Sequence, residues 1–207
     1  MLTFLYRMTA ALILVAAFAH PVAVTAAEPP VAKELIATLA TDAMQTFGVK
    51  TLSADERSTL FRDRLLRYSS TKLVSADILG RYWGRFTDGE RAEFEGLLVD
   101  YVVAIWSGRL ADVDPGTKVN VQDAEVVGDK VVVHSVVFAP DEPPAPVDWY
   151  VVTADTGANV VVDVQADGVS LIKTMREDFT ALLRANGGHA APLFDAMRKK
   201  MAQRAGS

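Results

Sequence analysis

Apolar residues recur at helical spacing through the first half of the chain and at strand spacing through most of the second. Leu35, Leu39, Ala43 and Phe47 fall at i, i+4 intervals. That spacing predicts a helix over about 31–47, with Gly48 as its stop. Ser53-Ala54-Asp55-Glu56 has the form of a capping box, in which hydroxyl and carboxylate each satisfy an orphan backbone amide. The helix it opens carries Leu60, Phe61, Leu65 and Tyr68. A short helix over about 75–83 follows, with Ser75 as its cap. Thr87-Asp88-Gly89-Glu90 is a second capping box and opens the strongest helical pattern, over about 88–110. There Phe94, Leu97, Leu98, Tyr101, Val102, Ile105 and Trp106 form one wide apolar stripe. Pro115-Gly116 turns the chain out of it.

Beyond that turn the period shortens. Val119 and Val121 alternate with polar residues, and valine-dense stretches occupy 130–138, 147–153 and 159–164. Gly128-Asp129 and Thr156-Gly157 read as hairpin turns, and 140–146 as a longer proline-rich connection. Four antiparallel strands in a curved meander are predicted. Asp167-Gly168 returns the chain to a helix reaching about Asn186, with Ile172, Met175, Phe179 and Leu182 on one face. Gly187-Gly188 stops it, and a last helix covers about 191–204. Helices, then a sheet, then helices define an α+β chain.

The first residues have a different character. Arg7 precedes an apolar run from Met8 to Phe18, Pro21 breaks it, and small residues surround Ala26 and Ala27. This is the form of an export leader cleaved after Ala26 or Ala27. The apolar run is shorter than the roughly 20 residues of a spanning helix. No Cys follows it to carry a lipoprotein anchor. The expectation is a leader over 1–27 and a single exported domain over 28–207, in the periplasm. Its helical part would cover about 31–112, its sheet about 118–165 and its last helices about 168–204. Without Arg7 the 21 basic residues become 20 against 26 acidic, a formal net charge of −6. An acidic chain is a poor general binder of nucleic acid. The absence of cysteine excludes disulfides, thiol catalysis and thiolate metal sites.

Candidate chemistry is sparse. Outside the leader the histidines are His134, inside a valine strand, and His189, after the Gly-Gly stop. Neither has a metal-ligand spacing. No nucleophile elbow, phosphate loop or dinucleotide fingerprint occurs. Asp163 and Asp167 read as structural: Asp163 points outward on a strand whose Val160, Val162 and Val164 point inward, and Asp167 caps the next helix. The basic end of the last helix, Arg198, Lys199, Lys200 and Arg204, reads as a solvated face. No cofactor, metal or reaction is expected. Aromatics spread over helices and strands, facing valine-rich strands, suit either a filled core or a hollow one fit for an acyl chain.

Two segments carry a family resemblance. One is Leu79-Gly80-Arg81-Tyr82-Trp83 with Thr87, Arg91 and Phe94; the other is Asp163-Val164 leading to Gly168-Val169-Ser170-Leu171. Together they resemble the MlaC-type periplasmic lipid-shuttle family of the Mla (maintenance of lipid asymmetry) system, with its toluene-tolerance and hopanoid-associated relatives. Met175 stands where that family has an aromatic, and Trp106 where it often has a smaller one; both alter pocket shape while keeping it apolar. The resemblance implies a sheet like those of nuclear transport factor 2 or cystatin, helices packed over it, and a deep apolar pocket for acyl tails. It implies a monomeric carrier exchanging phospholipid between an inner-membrane ABC-transporter complex of the MCE type and an outer-membrane lipoprotein complex. Hopanoid cargo and a ligand-free envelope scaffold are the alternatives. The motif positions assign Leu79, Trp83, Val164, Val169 and Met175 to the lining. Periodicity adds Leu98, Tyr101, Val102, Ile105, Val133, Trp149, Val162, Ile172 and Phe179.

Overall fold

The computed structural model describes residues 25–47 and 51–205. The leader up to residue 24 and the Gly48 stop lie outside the described residues. The chain runs β1 (Thr25–Ala26), α1 (Pro29–Phe47), α2 (Ala54–Tyr68), α3 (Thr71–Leu79) and α4 (Asp88–Trp106). Strands β2 (Lys118–Val127), β3 (Lys130–Phe138), β4 (Ala145–Thr153), β5 (Asn159–Ala166) and β6 (Val169–Ser170) follow, then α5 (Leu171–Ala185) and α6 (Ala190–Ala205). Short 3-10 segments, Gly80–Arg85 and Ser107–Ala111, trail α3 and α4.

Both capping boxes form. Ser53 Oγ accepts from Glu56 N at 3.2 Å while Ser53 N donates to the Glu56 carboxylate at 2.9 Å. Thr87 and Glu90 repeat the exchange at 3.2 and 2.8 Å. The third helix departs from the prediction. It starts at Thr71 with Ser70 as its cap, and Ser75 lies fully buried inside it. It also ends earlier, because Gly80 takes a positive φ of 51° and diverts the chain into the 3-10 turn.

The sheet is antiparallel throughout, in the order β2-β3-β4-β5-β6, with β1 on β4. Its four long strands are those predicted; the two-residue strands β1 and β6 are additions. Asp167 and Gly168 both have positive φ, 49° and 77°, the backbone that a two-residue hairpin of matching twist requires. Asp167 is therefore a hairpin residue, and the cap of α5 is Ser170 instead. Asp163 holds that cap. It accepts from Ser170 Oγ and from the amides of Val164 and Ile172 at 2.5–3.1 Å.

A bulge changes which valines of β5 share a face. Tyr150 pairs with Asp163 but Val151 pairs with Val161, so Val162 is an extra residue. Val161 and Val164 consequently share one face with Val131, Val133, Val151 and Trp149, beneath α1. Val160 and Val162 lie on the other face with Val152, Tyr150 and Leu73. The expectation that Val160, Val162 and Val164 point the same way fails at the bulge.

The remaining helices build a second, fully packed core. Phe94 lies between Phe86, Phe179 and Phe194, with ring centroids 6.1–6.5 Å away. Ile78, Leu79, Leu98, Leu183, Leu193 and Met197 close around it with 0–3% exposure. Large side chains buried this fully contribute about 1.5–3 kcal/mol each. Arg176 ties α5 to α3, donating from Nε to the Asp77 carbonyl at 2.8 Å and pairing with its carboxylate.

Candidate functional site

Between the helical core and the sheet lies a cavity of about 680 Å³. The end of α1 supplies Leu39, Ala43, Met44 and Phe47, and α2 supplies Phe61, Leu65 and Tyr68. Val102 and Trp106 from α4, with Leu110 and Val113 beyond it, form a third wall. The sheet contributes Trp149, Val161, Val164 and Ala166, and Val169, Leu171 and Thr174 complete the rim. Ala166, Val169 and Thr174 are exposed, so the cavity reaches solvent at the β5–β6 hairpin.

The apolar lining is incompletely buried although it faces inward. Leu39, Met44, Phe61, Leu65, Trp106, Trp149 and Val164 are only partly buried. In α2, Tyr68 alone is fully buried. Close-packed interiors leave few voids larger than one water; here an apolar face has no protein atoms opposite it.

The walls are held in place by local chemistry. Trp149 Nε1 donates to Ser135 Oγ at 2.9 Å, and that hydroxyl donates to the Val147 carbonyl at 2.9 Å, which fixes the indole against the cavity. Ser69 makes an isolated parallel bridge to Val161, tying the end of α2 to the sheet where β6 offers no partner. At the polar edge Arg64 Nη2 donates to Asp42 and Thr46 at 3.0 and 3.1 Å, and Tyr68 donates to Asp42 at 3.0 Å. Arg64 Nε also lies 2.9 Å from Asp42 but is not aligned to donate, so that contact is charge pairing only. Desolvation pushes the Asp42 carboxyl up, but the Arg64 and Tyr68 hydrogen bonds and the nearby guanidinium charges outweigh it and hold the pKa below its usual value. The same desolvation, reinforced by Asp42, pushes the Tyr68 phenol up. The charged groups at this edge thus answer one another, leaving the cavity itself apolar.

Of the residues proposed from sequence, Val102, Trp149, Val164 and Val169 line the cavity. Leu79, Leu98, Ile172, Met175 and Phe179 are buried in the packed helical core, with Trp83 and Tyr101 against it. Val133 is fully buried beneath α1, Val162 is on the opposite sheet face, and Ile105 is partly buried on α4 outside the lining. The cavity also takes Leu39, Ala43, Phe47, Phe61, Leu65 and Tyr68 from the α1 and α2 stripes, which lie outside the lining expected from the sequence. The available signal was their periodicity. His134 lies away from the cavity. Its Nδ1 is 2.7 Å from Asp148 and its Nε2 is 3.6 Å from Glu125.

An antiparallel sheet roofed by helices around an apolar cavity is the architecture of an α+β ligand-cavity fold. The chain belongs to the MlaC protein family, whose model matches residues 31–199. Its fold is similar to that of a phospholipid-binding protein from Ralstonia solanacearum, solved in complex with a phospholipid. The TM-score is 0.75 at 21% identity, over 84% of this chain and 98% of that one.

Proposed function

We propose that the cavity receives the acyl chains of a phospholipid and that the protein carries them through an aqueous compartment. The carrying observation is the inward-facing but incompletely buried apolar wall around about 680 Å³. That volume lies within the roughly 300–1,000 Å³ of small-molecule sites. Each methylene removed from water contributes about 0.8 kcal/mol, so such a wall retains a tail that water rejects. Membership of the MlaC family and the bound phospholipid of the Ralstonia solanacearum neighbour support the reading. Binding, not catalysis, is the proposed role, because the edge carboxylate is already held by Arg64 and Tyr68.

In this reading residues 28–207 act as one exported, monomeric periplasmic unit. It collects and delivers lipid at an inner-membrane ABC-transporter complex and an outer-membrane lipoprotein complex. Native mass spectrometry of protein purified without detergent, followed by lipid extraction, tests the cargo. A stoichiometric phospholipid adduct is the expected result. A polycyclic lipid would replace the cargo assignment, and a bare mass in every preparation would refute the carrier reading.

A further inference from the structure

An apolar cavity selects for tails but cannot tell a phospholipid from a neutral lipid with the same tails. Discrimination needs a charge beside the cavity, and Arg109 adjoins its α4 wall, where the lining residues Trp106 and Leu110 are only partly buried. It lies on the 3-10 segment Ser107–Ala111, between the cavity residues Trp106 and Leu110. Its guanidinium carbon sits over the Trp106 ring at 4.5 Å from the centroid. Arg109 is exposed, and among the described residues no carboxylate lies within ion-pairing distance of it. Arg64, the cation in the cavity wall, is already committed to Asp42 and Thr46.

A cation over a ring face uses its charge there but consumes none of its five N–H donors. The ring contact therefore holds the guanidinium beside Trp106 while leaving its donors available for a two-point contact with phosphate oxygens. We propose that Arg109 binds the phosphodiester of the lipid headgroup and is the residue by which the carrier prefers phospholipid over neutral lipid. The proposal rests on the tail-binding reading of the same cavity. Trp106 then has two roles: it lines the tail cavity and it positions the headgroup contact.

The test offers the delipidated exported protein equimolar phosphatidylglycerol and diacylglycerol with identical tails, and reads the bound ratio by native mass spectrometry. The wild type should favour the phospholipid by about tenfold, the order of one charge-assisted contact. Arg109→Gln should bring the ratio close to one while diacylglycerol uptake stays unchanged; Arg109→Lys should fall between them. Lys173→Gln, beside the rim residue Thr174, should keep the wild-type ratio. Circular dichroism confirms that each variant is folded. An unchanged ratio in Arg109→Gln, or an equal loss of both lipids, overturns the assignment. A ratio that collapses in excess inorganic phosphate makes the site one for the free anion and also overturns it. If the wild type takes up neither lipid, the tail-binding reading fails first and this inference falls with it.

Discussion

Two alanines on α1 should respond in opposite directions to the same enlargement. Ala32 is 0% exposed and packs beneath the helix against the sheet. Ala43, three turns along, is partly buried and faces the cavity. Ala→Leu adds three carbons, and helix propensity changes little because both residues are good helix formers. At Ala43 the added carbons enter empty space. Full burial at about 0.8 kcal/mol per methylene would contribute about 2.4 kcal/mol. The cavity is open on one side, so about half of that, roughly 1 kcal/mol of stabilisation, is expected. At Ala32 there is no space, and overpacking should cost about 1–3 kcal/mol. Urea unfolding of the delipidated protein reads both values. In thermal melts, 1 kcal/mol corresponds to about 2–4 °C for a chain of this size. Ala43→Leu should also reduce lipid uptake, since it occupies cargo volume. If Ala43→Leu destabilised as much as Ala32→Leu, the wall beside α1 would be filled rather than empty, and the carrier reading would lose its basis.

Other consequences are equally accessible. Val164→Arg should leave a folded protein that no longer retains lipid, whereas Leu98→Arg, in the packed core at 3% exposure, should fail to accumulate as folded protein; size-exclusion profiles and lipid extraction separate the two. Ser170→Ala should cost about 1 kcal/mol as a lost cap, and Asp163→Ala more, because three donors lose their acceptor; urea midpoints rank them. The His134 pKa is raised, first by its hydrogen bond to Asp148 and secondarily by Glu125, against desolvation. Its contribution to stability is thus fully present below the usual value of 6.5 and is lost as pH rises through the higher folded value. Urea midpoints should therefore fall across that window in the wild type more than in His134→Gln, and parallel curves would refute the assignment.

What the sequence made legible was local. Each capping box needs four consecutive residues, and a valine strand between turn residues declares its own period. A serine ahead of an apolar turn, such as Ser75, looks like a cap from sequence, whereas Ser70 wins by starting the helix about one turn earlier. The face of Val162 is hidden from sequence because a bulge is a property of two paired strands, and alternation along one of them cannot register it. The site was legible only in part for a related reason. Periodicity distinguished inward from outward on α1, α2 and α4, but Leu98 in the filled core and Trp106 on the cavity occupy one helix stripe. Whether an inward side chain meets protein or space depends on elements distant in the chain.

The contrast between a filled helical core and a hollow neighbour makes resistance to pressure a property that separates the empty protein from the lipid-loaded one. Pressure favours whichever state occupies less volume, and the volume decrease on unfolding scales with the internal void that unfolding eliminates. Phe94 and the side chains around it offer little such void. The space between the helices and the sheet offers about 680 Å³ less whatever water already occupies it. An empty molecule should accordingly yield at lower hydrostatic pressure than one whose space holds hydrocarbon, with the first response in the α1, α2 and β5 walls. In mechanical terms, a bound tail would serve as a removable piece of the interior.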